Sequence, residues 1–504
     1  MTQGGSRAVA AAVVVAALLA GSSVPRAARD DAQSALVQGQ LADLLFSDGR
    51  FRDAAEVYER AFGLAAPPVQ AQLGAQWVKA LLRTTEFRRA RDVAARVAQS
   101  APGEPELVAL EGDALWAAGQ FDEAEERYRQ SLAMNPSLPR GRSGFARALL
   151  SRSQLDEGLS QALAAVNAAP REPDFYTTAF QAYQRLRRYS DAADVLSKYV
   201  ELLPFKDTSD TTIWARQQVR FMRAFGKEEP LQEPRASAER VHVIPFRLHR
   251  EKIIVDGRVN GSRDVEFVLD TGAEMSVITK PLADRLRIRP DIYTLSAGVG
   301  GIGLRGLLVG RLERLQIGTL DIRNVPTLIK SPALTDLPTS EQEGFNPVAL
   351  GYSMTIDYRN RVLTMSKTLP EPAAGAHHMP LRLHRLAMVK GVINRDSHVP
   401  FVVDTGGEVI SLSRSTATAL RLEPPRHIAL KVYGTSGWDP TAFLLPGLHL
   451  AFNRVQLENQ AVVVLDLDAP SALLGFELGG IVGHRFLSKY RVSVDLPRSE
   501  MRLE

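Results

Sequence analysis

Cysteine is absent from all 504 residues of the chain. This absence excludes disulfides, thiol catalysis, thiolate-bound zinc or iron–sulfur sites and a lipidated N-terminal cysteine. A strong charge of one sign is also missing, because 61 basic and 57 acidic residues leave a net charge of only +4. The chain also lacks a dense run of lysine or arginine. Nucleic acid is therefore not an expected partner.

Motifs for several common chemistries are missing as well. The sequence contains no GxSxG, no phosphate-binding loop and no HExxH, which removes the usual signatures of serine hydrolases, P-loop proteins and zinc peptidases. The pair His377–His378 lies in a stretch rich in proline, alanine and glycine, without acidic or histidine partners at ligand spacing. We interpret it as exposed linker, and the sequence predicts neither a metal site nor a cofactor.

A long hydrophobic run occurs only at the N-terminus. Arg7 is followed by an unbroken small or aliphatic run, Ala8–Ala20, and then by Gly21, Ser22 and Ser23. This pattern is typical of a signal peptide, and the run is shorter than the roughly 20 residues of a spanning helix. We predict that residues 1–23 direct export to the periplasm or outside the cell, with membrane contact only if they stay uncleaved. An ordinary alanine-rich helix is the alternative.

Residues 31–225 repeat with a period of about 34 residues. Aromatic residues or leucines recur just after short polar turns, at Phe51, Phe87, Phe121, Leu155 and Tyr189. Prolines recur where they would end a helix, at Pro102, Pro136, Pro170 and Pro204. Because the apolar residues between these landmarks follow three-to-four spacing, each unit is predicted to be a helical hairpin.

These units resemble the tetratricopeptide repeat. The stretch "AGQFDEAEERYRQSLAMNP" (118–136) fits its second-helix consensus, and residues 48–62 and 186–204 are similar to it. The resemblance implies an all-α solenoid with a concave surface that binds a protein or peptide, closed by a capping helix at 210–225. A spacer or dimerisation element is the alternative. Trp77 and Trp116 are expected in the core between helices.

The residues after the repeats change in character. Residues 226–240 are rich in charge and proline, which predicts an extended hinge. From residue 241 the apolar pattern alternates with a period of two, which predicts a mostly β region. That region is duplicated, because "FVLDTGAEMSVI" (267–278) and "FVVDTGGEVISL" (401–412) share six identities in register. We predict lobes at 241–369 and 381–504, joined by a linker at 370–380.

Both lobes resemble the retropepsin/pepsin superfamily of aspartic peptidases, and the retroviral-type members most. The resemblance lies in the two Asp-Thr-Gly motifs, in the apolar-apolar-Gly runs ending at Gly351 and Gly483, and in the final "GGIVGHRFLSKYRVSVDLPRSEMRL". It implies an all-β bilobal acid-protease fold with minor helices. Leu350–Gly351 and Val482–Gly483 would then support the two motif loops from beneath.

The resemblance makes Asp270 and Asp404 the expected catalytic pair. Two carboxylates about 3 Å apart share one proton, because like charges that close cannot both ionise. One then accepts a proton from water while the other donates one to the substrate, so peptide hydrolysis needs no metal. The resemblance further implies that four loop residues support the site: Thr271, Gly272, Thr405 and Gly406.

Glycine-rich stretches at 296–306 and 432–440 resemble the flaps that close over an extended peptide in this family. The residues expected to contact substrate there are Gly298, Val299, Gly300, Gly301, Tyr433, Gly434, Thr435 and Trp438. Solvent-facing hairpin turns are the alternative interpretation of both stretches.

Two departures from the family pattern affect the expected activity. Ala273 and Gly407 follow the motifs, so neither carboxylate receives a hydroxyl hydrogen bond, which is expected to raise the working pH. Lobe 1 runs from Gly351 to Asp357 in six residues, whereas lobe 2 takes twelve from Gly483 to Asp495, so lobe 1 is expected to lack the short helix after its glycine. The sequence thus predicts an aspartic endopeptidase whose repeats recruit a substrate or partner protein. The alternatives are a catalytically silent peptide-binding module, a repeat-based scaffold and a β-barrel that binds a small ligand.

Overall fold

The structure is a computed structural model. It describes residues 26–262, 265–300, 304–330, 343–422, 428–434 and 436–504. The predicted signal segment lies outside these residues, and no helix among them is long and apolar enough to cross a membrane. The chain divides into two compact units. Among the described residues, the first comprises 26–118, 122–141 and 203–208, and the second comprises 119–121, 142–202 and those from 209 to 504.

The N-terminal part of the chain is helical. Its helices are α1 Arg26–Ser47, α2 Phe51–Leu64, α3 Val69–Arg83, α4 Phe87–Ser100, α5 Pro105–Ala117, α6 Phe121–Met134, α7 Pro139–Ser151, α8 Leu155–Ala168, α9 Pro173–Arg185, α10 Tyr189–Leu202 and α11 Asp210–Ala224. Every aromatic residue or leucine that marks the repeat is the first residue of a helix, and every marking proline follows a helix end by two residues. The predicted repeat register is confirmed, because proline cannot continue a helix.

Aromatic side chains pack against small residues in the core of the first unit. Trp77 is buried at 3% exposure, and Tyr58 donates a hydrogen bond to Asp43 across 2.6 Å. A Cβ atom on Gly112 would lie 2.6 Å from the ring of Tyr128. Glycine is therefore required where the helices approach, because a side chain there would overlap the aromatic ring.

The predicted capping helix α11 is present in the second unit. Ser209 caps it by accepting the N–H of Thr212. Trp214 of α11 packs edge-on to Phe180, and Phe225, directly after the helix, packs edge-on to Tyr189. These contacts cover the apolar face that the last hairpin would otherwise expose.

The expected extended hinge at 226–240 is wrong. Leu231 is buried, and its N–H donates to the carbonyl of Asn324. Gln232 exchanges backbone hydrogen bonds with Arg323, and a short helix, α12, follows at Arg235–Ala238. The segment is fixed to the β region because it carries an apolar anchor and satisfies its backbone groups on a strand.

The rest of the second unit is mostly β, as predicted. The first lobe contains β1 His242–Pro245, β2 Arg247–His249, β3 Lys252–Val259, β4 Val265–Leu269, β5 Ser276–Thr279, α13 Lys280–Arg285, β6 Pro290–Ala297, β7 Leu304–Ile317, β8 Leu320–Lys330, β9 Glu343–Phe345, β10 Ser353–Asp357 and β11 Val362–Ser366. The second lobe contains β12 His377–His384, β13 Leu386–Ile393, β14 Ser397–Val403, β15 Ser411–Ser413, α14 Arg414–Ala419, β16 Ile428–Ala429, β17 Val432–Gly434, β18 Gly437–Asp439, β19 Phe443–Phe452, β20 Val455–Leu465, α15 Asp468–Leu474, β21 Gly480–Val482, α16 His484–Leu487, β22 Val492–Asp495 and β23 Glu500–Leu503.

The two lobes repeat one topology. In lobe 1 the strand order is β2-β3-β4-β9-β5-β8-β7-β6. In lobe 2 the order β13-β14-β21-β15-β20-β19 corresponds strand by strand to β3-β4-β9-β5-β8-β7 of lobe 1. In each lobe the strand before the Asp-Thr-Gly loop pairs in parallel with a later short strand, β4 with β9 and β14 with β21. A shared sheet joins the lobes, because β10 pairs with β22 antiparallel. The bilobal architecture follows from this duplication.

The histidine pair lies in a strand rather than in a linker. Strand β12 begins at His377, and His377 and His378 pair with Leu503 and Arg502 of β23. Nδ1 of His378 lies 3.0 Å from the carboxylate of Glu500. The described residues hold no group of three histidine or acidic side chains arranged for a metal ion.

Candidate active site

Asp270 and Asp404 come together directly after β4 and β14. The N–H of Asp270 donates to the carbonyl of Phe345, and the N–H of Asp404 donates to that of Val482. The Cβ position of Gly406 lies 2.6 Å from Asp270 Oδ1 and 3.1 Å from Asp404 Oδ1. The two oxygens are thus no farther apart than these two distances combined, so both carboxylates occupy one site.

Thr271 and Thr405 link the two loops. The N–H of Thr271 donates to Oγ1 of Thr405 at 3.2 Å, and the N–H of Thr405 donates to Oγ1 of Thr271 at 3.0 Å. Each hydroxyl then donates across the lobe boundary, that of Thr271 to Val403 and that of Thr405 to Leu269. Both threonines are buried, so this symmetric exchange sets the separation of the two aspartates.

Backbone N–H groups hold each carboxylate, but unequally. Gly272 donates to Asp270 Oδ1 at 3.1 Å, whereas Gly406 and Gly407 both donate to Asp404 Oδ1, at 2.8 and 2.9 Å. A Cβ on Gly272 would lie 2.5 Å from Cγ of Asp404. Glycine is therefore needed because the opposite carboxylate occupies the space of a side chain.

The pair retains a proton to unusually high pH. Burial raises the pKa of Asp404 to about 7, and the negative charge of Asp270 acts in the same direction. The N–H groups of Gly407 and Gly406 and the ammonium of Lys252 oppose this shift. Below that pKa the pair holds a proton that it can donate, as acid–base hydrolysis requires.

The sequence landmark in lobe 1 is corrected by the strand pairing. Val482 supports the Asp404 loop, as expected, but the equivalent residue in lobe 1 is Phe345 rather than Leu350. Gly351 instead lies at the end of a turn with φ +74, where its carbonyl accepts the ammonium of Lys367. The similar spacing of Gly351 and Gly483 from their aspartates is therefore a coincidence.

The asymmetry between the lobes largely disappears with this correction. Asn346 takes the place of Gly483, and the chain from Asn346 to Asp357 is about as long as that from Gly483 to Asp495. The side chain of Asn346 caps the following turn by accepting the N–H of Val348 at 2.9 Å. A hydrogen-bonded turn thus occupies the position where lobe 2 has helix α16.

Glu274 and Glu408 each pair with an arginine that lies at the boundary between the lobes. Arg385 of lobe 2 pairs with Glu274 of lobe 1 at 2.6 Å. On the other side, Arg485 pairs with Glu408 of its own lobe at 2.5 Å and with Glu251 of lobe 1 at 2.9 Å. Both acids are neutralised by arginine, as expected for residues that do not add to the catalytic pair.

The described residues of the two glycine-rich stretches contact each other. The N–H of Gly298 donates to Oγ of Ser436 at 3.0 Å, and the N–H of Ser436 donates to the carbonyl of Val299 at 2.9 Å. A Cβ on Gly300 would lie 2.4 Å from the backbone of Ser436, so that glycine permits the close approach.

The other predicted flap residues include two exposed aromatic side chains and one glycine at the contact between the stretches. Tyr433 and Trp438 oppose each other across β17 and β18 and are 42% and 46% exposed. Gly434 approaches the carbonyl of Val299. Gly301 and Thr435 lie outside the described residues. Whether the flaps bind substrate stays a prediction.

Lys252 is a site residue that the sequence did not indicate. Its ammonium donates to the carbonyl of Gly406, and its charge lowers the pKa of Asp404. Lys252 opens β3 in lobe 1, whereas Gly406 belongs to lobe 2. An isolated lysine at a strand start carries no local signal of this role, because only the assembly of the lobes brings it to the pair.

Comparisons with protein families agree with this geometry. The model for the aspartyl protease of gag polyproteins matches residues 255–338, a second aspartyl protease model matches 389–478, and a tetratricopeptide-repeat model matches 115–177. The chain therefore carries two retropepsin-like aspartyl protease domains behind a tetratricopeptide-repeat region.

Solved structures similar to the chain include tetratricopeptide-repeat proteins. They include TTC0263, a thermophilic tetratricopeptide-repeat protein of Thermus thermophilus, at 14% identity and TM-score 0.32, covering 38% of this chain and 99% of that one. YrrB, described as a repeat protein with an unusual peptide-binding site, matches at 21% identity and TM-score 0.22, covering 33% and 86%. MamA of Desulfovibrio magneticus RS-1 matches at 19% and 0.25, covering 34% and 94%. No curated protein matches the chain.

Proposed function

We propose that the protein is an aspartic endopeptidase in which Asp270 and Asp404 activate water to hydrolyse a peptide bond. The observation that supports this most is the meeting of two half-buried carboxylates, with the pKa of Asp404 raised to about 7. In a pair that shares one proton, one carboxylate can act as base and the other as acid.

The proposed reaction uses the pair twice. The ionised carboxylate accepts a proton from water, whose oxygen attacks the peptide carbonyl, while the protonated carboxyl donates its proton to the carbonyl oxygen. The resulting tetrahedral adduct breaks its C–N bond when the amine nitrogen accepts a proton from the pair. As this bond breaks, a hydroxyl of the adduct returns a proton to the pair. The products are a carboxylic acid and an amine, and the pair again holds a single proton. Base and acid are assigned to the pair, because two coupled groups titrate as a unit.

The flaps and the repeats are proposed to bind the substrate around this chemistry. Hairpin tips such as 298–300 and 436–437 can pair with an extended peptide as an added strand and exclude water from the pair. The repeats are proposed to recruit a protein substrate or partner. We also infer that residues 1–23 direct export, which N-terminal sequencing of the protein recovered from its native compartment tests.

A cleavage assay tests the proposed activity. We expect the protein to cut members of a diverse peptide library between pH 3 and 7, and Asp270→Asn and Asp404→Asn each to lose at least about a thousandfold in kcat/KM, as expected for removal of an acid–base group. Asp396→Asn, at an exposed turn, serves as the matched control. Peptide binding without cleavage by the wild type at any pH would instead identify a recognition module.

A further inference from the structure

A cavity of about 750 Å³ opens beside Asp270. The protease lobes form one part of its wall, with Met275, Leu295 and Leu473 among the lining residues. The repeat helices form another part, through Gln181 and Gln184 of α9 and through Trp214 and Gln218 of α11. All of these residues belong to the same compact unit. The last repeat helices are therefore part of the surface that surrounds the catalytic pair.

The wall formed by the repeats is tied to the protease lobes. Oε1 of Gln217 accepts the N–H of Leu295 at 2.9 Å, on the strand that leads into the first flap. The ring of Trp214 lies under the guanidinium of Arg385, 4.9 Å from its centre, and Arg385 in turn holds Glu274, four residues after Asp270. These contacts fix the repeat helices as a wall of the cavity.

The charges that line the cavity are unbalanced. The cations are Arg185, Arg187, Lys330, Lys367 and Arg385, and the acids are Glu233, Asp270 and Glu274. Arg385 neutralises Glu274 at 2.6 Å, and Lys367 neutralises Glu233 at 2.8 Å, with Arg187 at 3.5 Å from the same carboxylate. Within the ranges that the structure describes, Arg185 and Lys330 have no carboxylate partner.

Arg185 is held in the cavity wall by hydrogen bonds to neutral groups. Its guanidinium donates to the carbonyls of Leu150 and Leu383 and to Oγ of Ser153, the last at 3.1 Å. All three acceptors are neutral, so they position the side chain without cancelling its charge. Burial lowers the pKa of Arg185 to about 10, which leaves it protonated at neutral pH. A recessed cation without a counter-charge favours an anionic ligand.

We propose that this cavity is a substrate subsite that takes a carboxylate of the peptide, with Arg185 as its main ligand and Lys330 as its second. The proposal rests on the proposed peptidase function and specifies its substrate class. The carboxylate has two sources, an aspartate or glutamate side chain near the cleaved bond or the C-terminus of a short substrate. In either case the last repeats determine specificity directly, in addition to any recruitment.

Matched peptides test this subsite. A substrate from the cleavage library is prepared with glutamate or glutamine at each position in turn, and each peptide is made with a free and an amidated C-terminus. At one position, or at the free C-terminus, we expect the charged form to be cleaved with a kcat/KM about tenfold higher, the change that corresponds to about 1.4 kcal/mol. Preference that survives amidation assigns the carboxylate to a side chain, and preference lost on amidation assigns it to the C-terminus.

Variants separate recognition from a structural role. Arg185→Gln should bring the ratio of kcat/KM for the charged and the neutral peptide to about one, and Arg185→Lys should restore part of the preference. Arg171→Gln, at an exposed repeat position, should leave the ratio unchanged. A purely structural Arg185 would lower stability and activity toward both peptides equally, and an unchanged ratio in Arg185→Gln would overturn the proposal.

The two proposals fail in different ways. Cleavage of charged and neutral peptides at equal rates by the wild type would keep the peptidase and overturn the carboxylate subsite. If the wild type cleaves nothing, fluorescence anisotropy with the same labelled peptides replaces the rate. A charged-to-neutral difference in affinity that Arg185→Gln removes would support the subsite without the peptidase, and equal affinities would overturn it.

Discussion

The side chain of Gln217, in the helix that caps the repeats, accepts the backbone N–H of Leu295, in the strand that leads into the first flap, across 2.9 Å. Strand β6 is the outer strand of its sheet, so this N–H has no strand partner on that side. The adjacent Gln218 contacts Thr294 of the same strand. The repeat helix thus protects a sheet edge that would otherwise be open, and it anchors the base of a flap.

Replacing Gln217 tests this anchor. Gln217→Ala removes one hydrogen bond, which lowers the stability of the closed flap by about 0.5–1.5 kcal/mol. The first flap should therefore open more often. We expect faster hydrogen exchange in the segment 290–297 and a higher KM with little change in kcat. Arg220→Ala, exposed on the same helix, is the control. Unchanged exchange in 290–297 would show that the strand is held by other contacts.

The threonine exchange should set the stability of the lobe interface. Thr405→Val keeps the shape of the side chain but leaves the carbonyl of Leu269 without its donor, which costs about 1–3 kcal/mol for a buried group. We expect a lower midpoint of thermal unfolding and a large loss of kcat. Thr405→Ser retains the hydroxyl and should recover most of both. Equal effects of valine and serine would trace the loss to packing instead of the hydrogen bonds.

Lys252 should set the upper limit of the active pH range. Its positive charge lowers the pKa of Asp404, so Lys252→Met should raise that pKa and move the alkaline limb of kcat/KM to higher pH. Lys252→Arg keeps the charge and should move the limb less. The measurement is kcat/KM from pH 4 to 9, with Lys489→Met, at an exposed position, as the control. A limb that moves to lower pH would contradict this sign.

The half-buried Asp404 should also make stability depend on pH. Its pKa rises from an ordinary value of 3.8 to about 7 on folding. A raised pKa contributes stability that is complete below pH 3.8 and is lost as pH rises through about 7. Asp404→Asn removes this titration. The unfolding temperature of the variant, relative to that of the wild type, should therefore rise as the pH increases from 4 to 7. Calorimetry of both proteins across that range provides the test, and a constant difference would show that Asp404 is not desolvated.

The repeats and the catalytic loops were predictable because their signals are local. Phe51 and Tyr189 mark helix starts through a short polar turn and apolar spacing, which depend on neighbouring residues alone. Asp270 and Asp404 stand in duplicated twelve-residue stretches, so one comparison within the chain identifies both. The structure brings these two residues together, and each follows the equivalent strand of its lobe.

Features that depend on strand pairing were not predictable. Leu350–Gly351 matches the apolar-apolar-Gly motif expected to support the Asp270 loop. The N–H of Asp270 donates to the carbonyl of Phe345 instead. The motif and its spacing could not distinguish Leu350 from Phe345, because the partner of Asp270 depends on how all the strands of the sheet pair. The hinge was wrong for a related reason, since charge and proline dominate its composition while one residue, Leu231, anchors it.

The sequence by itself determined the aspartyl protease character of the two lobes and the order of the domains. Helical periodicity, β alternation and paired Asp-Thr-Gly loops are short-range patterns that the backbone translates directly into local structure. Only the tertiary structure decided what surrounds the catalytic pair. Lys252, Arg185 and Gln217 are far from one another in the chain, and each gains its role from the groups that folding places beside it. Long-range packing selects those neighbours, and no local pattern encodes them.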